Sequence, residues 1–238
     1  MNTVKLICLP YAGGSARIYN TWVHLLDEKI EVVCPELAGR GKRFNEPFYK
    51  NLKEAVDDIY KNIEPIVNSG PYALFGHSMG SLLTFELYYK LKREGHCEPE
   101  AIFFSGKAAP HIPIKEKVHL YNEEQILEKI FSLGGTPREV LDNKDILNLY
   151  LPIIKADYKI IETYVCENKS TLIKSPCYIL YGSEDDITLE EILEWEEHTL
   201  NVPKFYEIYG GHFFIKNQES VVINLLNQIL LGKMIANV

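Results

Sequence analysis

Apolar residues gather along this chain in six short runs that scarcely alternate with polar ones. They are Val4–Leu9, Glu31–Cys34, Tyr72–Phe75, Ala101–Phe104, Cys177–Tyr181 and Phe205–Tyr209. Near-continuous apolar runs of this length predict strands covered on both faces, as in a parallel sheet. Between them the period changes to that of a helix. Leu52–Val67 places Ala55, Val56, Ile59, Ile63 and Ile66 on one face, and Leu82–Leu91 and Ser220–Leu231 also predict helices. Strands alternating with helices predict a doubly wound α/β sheet. The alternation breaks once. About seventy residues between Phe104 and Cys177 hold no good strand, only helical pieces at Glu123–Leu133, Pro137–Leu141, Lys144–Leu149 and Ile153–Tyr164. Gly134-Gly135-Thr136-Pro137 punctuates them. This predicts a helical insert, about residues 107–164, beyond the C-terminal edge of the sheet. It would either cap a site there or form a plain structural layer.

The strand Tyr72–Phe75 ends abruptly in Gly76-His77-Ser78-Met79-Gly80, and the next helix follows at once. A serine between two glycines at a strand-to-helix corner fits a nucleophile elbow, in which the neighbours two positions away must be small. The same glycines would also serve a tight turn around an inert serine. A serine hydroxyl needs a histidine to take its proton and a carboxylate to orient that histidine. The fifth strand runs into Gly182-Ser183-Glu184-Asp185-Asp186 and the sixth into Gly210-Gly211-His212. Both loops lie at strand C-terminal ends, where sites of open α/β sheets form. His212 is therefore the candidate base. Asp185 is the preferred acid, three residues after Gly182, with Asp186 and Glu184 as competitors. His111 lies in the insert, where it could line a pocket, and His77 is expected to pack or bond locally. An oxyanion hole needs two donors. The Met79 N–H, directly after the serine, is one. The glycine-rich loop Leu9-Pro10-Tyr11-Ala12-Gly13-Gly14-Ser15 supplies the other, from Ala12 or from Tyr11. Neither G-x-G-x-x-G nor G-K-[ST] occurs, which excludes the usual nucleotide loops.

Composition narrows the partners. The chain has 238 residues and a net charge of −8, which suits a single domain and argues against nucleic acid. No apolar run reaches membrane-spanning length, and the first ten residues lack a basic n-region and a cleavage site. Five scattered cysteines form no C-x-x-C. They predict no metal site, no disulfide framework and a reducing, cytoplasmic setting. Cys8, Cys34 and Cys177 sit in apolar runs, as small buried hydrophobes do. One stretch departs from the overall charge: residues 40–53 hold Arg40, Lys42, Arg43, Lys50 and Lys53 against Glu46 alone.

Pro10-Tyr11-Ala12-Gly13-Gly14-Ser15, Pro35-Glu36-Leu37-Ala38-Gly39-Arg40-Gly41, Gly76-His77-Ser78-Met79-Gly80, Leu133-Gly134-Gly135-Thr136-Pro137 and Gly210-Gly211-His212-Phe213 together resemble the type II thioesterases. These enzymes accompany nonribosomal peptide and polyketide synthases. The resemblance spans nearly the whole chain, and its second and fourth segments separate this family from generic esterases. It implies an α/β-hydrolase fold with a mostly parallel sheet and a helical lid. It implies hydrolysis of acyl groups from the phosphopantetheine arm of carrier proteins, which clears misprimed or stalled units. The triad carries over as Ser78, Asp185 and His212, with no metal or organic cofactor of the enzyme's own. Because carrier proteins tend to be acidic, Arg40, Lys42 and Arg43 are expected to dock them. The chain is expected to act as a monomer. The rivals are a general serine esterase or acyl-CoA thioesterase, a product-releasing thioesterase, and an inactive hydrolase-fold binding protein.

Overall fold

The computed structural model describes residues 3–134 and 144–232. The helical piece expected at Pro137–Leu141, and the end of the Leu133–Pro137 segment, lie outside the described residues. Six strands, β1 (Val4–Leu9), β2 (Ile30–Val33), β3 (Tyr72–His77), β4 (Ile102–Ser105), β5 (Cys177–Gly182) and β6 (Lys204–Ile208), form one sheet in the order β2-β1-β3-β4-β5-β6. Every pairing is parallel. The order reverses direction at β1, so the loops after β1 and β3 open side by side at the C-terminal edge.

Alternate residues of the strands feed two apolar layers. Ile7, Leu9, Leu74, Ile102, Phe104 and Ile179 face one cluster. Leu6, Cys8, Ala73, Phe75, Phe103 and Leu180 face the other. The first layer is covered by α1 (Leu52–Val67) and α2 (Met79–Arg93). In α1, Leu52, Ala55, Val56, Ile59, Ile63 and Val67 are buried at helical spacing, and the Asn51 side chain caps the helix by accepting the Glu54 N–H at 2.9 Å. The second layer is covered by α5 (Glu219–Leu230), with Trp22 and Tyr19 filling in beside Phe75.

The insert contains α3 (Glu123–Ser132) and α4 (Lys144–Glu162), and no strand among the described residues. It has a small core of its own, with Val118, Ile126 and Leu151 buried and Leu147, Ile154 and Tyr158 packed against them. The buried Glu162 carboxylate closes the insert on itself by accepting the Val118 N–H at 2.7 Å and the His119 N–H at 3.1 Å. The sequence predicts two helices here, broken near Pro152, yet α4 is continuous with Pro152 inside it. Proline removes one hydrogen bond and strains one turn. Burial of Leu151 and Ile153 directly beside it outweighs that loss.

Ile63 is fully buried in α1 between the helix and the sheet, whereas Lys61 on the same helix is exposed. Urea titration is expected to show Ile63→Ala destabilised by about 2–5 kcal/mol. Lys61→Ala should change stability by no more than about 0.5 kcal/mol.

Candidate active site

The corner between β3 and α2 exists because two residues lack a Cβ. A Cβ on Gly76 would lie 2.0 Å from the Gly80 carbonyl oxygen, and one on Gly80 would lie 2.1 Å from that of Leu9. Real atoms do not approach so closely, so β1, β3 and α2 can converge only on glycine. The turn leaves Ser78 at φ 54°, ψ −111°, the one non-glycine residue with positive φ among those described. Such a conformation costs on the order of 1–3 kcal/mol and persists only when its surroundings enforce it. Here the Ser78 N–H donates to the Ser105 carbonyl at 2.8 Å. The buried Ser81 Oγ accepts the Ser105 N–H at 3.0 Å and lies 2.9 Å from the carbonyl oxygens of both Gly76 and Ser105. Sequence reasoning missed Ser81. A small polar residue in the first turn of a buried helix is the signal it offered.

The acid and histidine loops are sewn together. Gly182 sits where a Cβ would meet the Gly210 and Gly211 carbonyl oxygens at 2.5 and 2.7 Å. The Ser183 N–H donates to Ile208 at 2.9 Å and the Glu184 N–H to Gly210 at 3.0 Å. This stitching places Asp185 Oδ2 2.8 Å from His212 Nδ1, with side-chain exposures of 4% and 14%. A carboxylate can only accept, so Nδ1 carries the proton and Nε2 is left as the basic nitrogen. Asp186 is exposed at the surface, so of the competing acids it is Asp185 that meets the histidine.

The His77 ring lies 5.3 Å, centroid to centroid, from that of His212, and its Nδ1 is 2.8 Å from Ser105 Oγ. Ser78 directly follows His77 in the chain, at the end of the strand whose last ring meets His212. Burial holds the His77 imidazole neutral, well below the usual histidine range, and the neighbouring His212 adds to the effect. His77 thus packs and bonds locally. His111 lies elsewhere: it lines a separate cavity of about 280 Å³ with Lys107 and Glu162, and its Nδ1 is 2.7 Å from His198 Nε2.

The loop after β1 closes the site from the other side. Tyr11 to Gly14 form a turn, with the Gly14 N–H on the Tyr11 carbonyl at 2.9 Å and Gly13 at φ 78°. In a trans peptide the C=O and N–H point in opposite directions. With the Tyr11 carbonyl turned toward Gly14, the Ala12 N–H is turned away from the turn. The Met79 N–H stands at the first position of α2, where no intrahelical partner exists. Beside this loop is a cavity of about 520 Å³, walled by Tyr11, Ala12 and Phe213 and roofed by Ile130, Leu147 and Ile154 of the insert.

The three cations expected to dock a carrier behave differently from one another. Arg40 is not at the surface: it is 3% exposed and forms a bidentate pair with Asp157 of α4 at 2.6 and 2.7 Å. A guanidinium committed to a buried carboxylate has no charge to offer a partner, and that expectation is corrected. Arg43 is partly buried and held by Glu46 and Asp58, each at 2.5 Å. Lys42 is exposed.

Fold and geometry together define an α/β-hydrolase carrying a serine-hydrolase type of site. The family is narrower than that: the thioesterase domain matches residues 4–230, and the chain belongs to the thioesterase family. The gramicidin S biosynthesis protein GrsT of Aneurinibacillus migulanus is 32% identical over 225 residues, covering 94% of this chain and 87% of that protein. ClbQ, from the colibactin NRPS/PKS pathway, matches with a TM-score of 0.92 at 34% identity, covering 98% of both chains. The type II thioesterase BorB, from the borrelidin biosynthetic cluster, matches with a TM-score of 0.87 at 30% identity, covering 96% of this chain and 93% of that one. These comparisons and the parallel sheet agree with the resemblance carried by the sequence motifs.

The neutral, buried His77 has a consequence for stability. An unfolded imidazole titrates near 6.5, and below that pH the unfolded chain takes up a proton the folded chain refuses. The stabilisation is therefore complete above pH 6.5 and is lost as the pH falls, at up to about 1.4 kcal/mol per unit. Urea unfolding at pH 7 and pH 5 is expected to show a loss in wild type that shrinks by up to about 2 kcal/mol in His77→Gln. An equal loss in both proteins would contradict this.

Proposed function

We propose that this protein hydrolyses acyl thioesters on the phosphopantetheine arm of carrier proteins, clearing misprimed or stalled units from a nonribosomal peptide or polyketide synthase. Ser78 is the nucleophile, His212 the base and Asp185 the group that orients it. The observation that carries the reading is the strained serine corner after β3 together with an Asp185–His212 pair, 2.8 Å apart, in the loops after β5 and β6 at the same C-terminal edge of the sheet. The biosynthetic settings of GrsT, ClbQ and BorB support the carrier-bound substrate.

The chemistry runs in two halves. Ser78 Oγ attacks the thioester carbonyl as His212 Nε2 takes the hydroxyl proton. The tetrahedral oxyanion is held by the N–H groups of Met79 and Ala12. The C–S bond breaks, the pantetheine sulfur leaves with the proton from His212, and the acyl group stays on Ser78. Water, deprotonated by the same nitrogen, then attacks the ester and releases the acid. The cavity of about 520 Å³ takes the acyl group, under the helices of the insert acting as a lid. The pantetheine arm arrives on the partner, so no resident cofactor enters either half.

Among the described residues no helix is long and apolar enough to cross a membrane. The reading takes the enzyme to be a cytoplasmic monomer. Electrostatic docking near the loop after β2 falls to Lys42, since Arg40 is buried and Arg43 is paired.

The test is loss of acetyl from an acetyl-phosphopantetheine carrier protein, followed by intact mass with acetyl-CoA as competitor. Wild type is expected to deacylate the carrier in preference to acetyl-CoA. Ser78→Ala should fall by about 10⁶-fold and Asp185→Asn by about 10⁴-fold. Asp186→Asn should stay within about twofold, as an exposed carboxylate outside the pair. Turnover of free thioesters or esters without loss from the carrier would replace this reading with a general hydrolase.

A further inference from the structure

Arg40 and Asp157 are 117 positions apart, and their pair lies against the loop that supplies the Ala12 N–H. Asp157 Oδ2 accepts the Gly13 N–H at 2.7 Å and also the Arg40 Nη1 at 2.6 Å, while Oδ1 accepts Nη2 at 2.7 Å. Arg40 Nη1 donates in addition to the Gly14 carbonyl at 3.0 Å. The carboxylate thus takes a donor from Gly13 and the guanidinium an acceptor from Gly14, so the turn is gripped by both signs of charge. Both charged groups are buried, Arg40 at 3% and Asp157 at 2% exposure. The packing is equally close: a Cβ on Gly13 would lie 2.8 Å from Ile154 Cγ1 of α4.

The geometry gives the grip a direction. In the Tyr11–Gly14 turn the central peptide joins Ala12 to Gly13, and it is the unit that flips between turn types. Asp157 holds the N–H of that peptide. Arg40 holds the next carbonyl but one, Gly14. The Gly14 N–H, which fixes the Tyr11 carbonyl and so aims the Ala12 N–H, is held in place from both sides. Asp157 belongs to α4, which roofs the acyl cavity through Leu147 and Ile154.

We propose that Arg40 and Asp157 are positioning residues that join the seating of α4 over the cavity to the assembly of the oxyanion loop. When α4 is seated, Gly13 and Gly14 are clamped and the Ala12 N–H is aimed. When α4 lifts, Asp157 leaves with it and the loop loses its clamp. An enzyme with its roof raised then keeps Ser78, His212 and Asp185 but lacks a fixed oxyanion donor. The inference rests on the proposed role of the Ala12 N–H.

Removing one partner would strand a buried charge, so the main variant removes both: Arg40→Met with Asp157→Leu. The second variant, Arg40→Lys, keeps the positive charge but has no planar fork with which to hold Asp157 twice and Gly14 at once. Each is scored by melting temperature, by kcat and KM on acetyl-pantetheine, and by the rate at which a fluorophosphonate labels Ser78. In the double variant kcat and labelling rate are expected to fall by about 10²–10³-fold, the cost of one oxyanion donor. KM should stay within about threefold, because the donor acts on the transition state. Arg40→Lys should lose about tenfold in kcat while remaining folded at the assay temperature. If the double variant unfolds, Arg40→Lys decides. Wild-type kcat and labelling in a folded variant would overturn the proposal, as would a change confined to KM, which would make the pair a wall of the cavity only. If wild type labels with the fluorophosphonate but leaves thioesters intact, the functional reading fails and the labelling rates still decide this inference. If wild type does neither, both fail.

Discussion

Two missing β-carbons govern this molecule. At Gly76 and Gly80 the backbones of β1, β3 and α2 come so close that any side chain would overlap a carbonyl oxygen. That convergence forces Ser78 into a left-handed conformation and lifts it to the edge of the sheet. The strain is not tolerated loosely. The Ser105 carbonyl, the Ser81 hydroxyl and a helix whose first residues are buried all fix the corner before any substrate arrives. Preorganisation of this kind serves catalysis, because the cost of orientation is met during folding.

The same close-approach device recurs on the other side of the edge. Gly182 lets β5 and β6 end almost in contact, and the backbone hydrogen bonds between their loops carry Asp185 onto His212. The loop after β1 completes the arrangement, held by a carboxylate from the insert and a guanidinium from the loop after β2. Three loops from the C-terminal edge are thus each tied to a neighbour by specific polar contacts.

Much of this was legible in the sequence because the signals were local. Near-continuous apolar runs located all six strands, with Tyr72–Phe75 extending only two residues further to His77. The order serine, acid, histidine located the loops, and spacing from Gly182 favoured Asp185 over Asp186. What sequence could not supply was long-range pairing of charge. Arg40 reads as a surface cation because an unpaired arginine belongs in water, and its partner lies on a helix of the insert. A clue was present: Asp157 falls four residues from both Ile153 and Ile161, on the buried face of α4. A carboxylate on an apolar stripe calls for a partner. The continuity of α4 through Pro152 was likewise invisible, since local propensity argues for a break and only packing reverses it.

The central claim is that this corner delivers Ser78 as the nucleophile of an acyl-enzyme. Mixing the protein with an acetyl thioester, quenching in acid within one turnover and mapping peptides by mass tests it most directly. The account predicts an acetyl ester on the peptide containing Ser78, formed before the acid is released. Turnover that leaves Ser78 unmodified at every quench time, with the acyl group on another residue or on none, would contradict it.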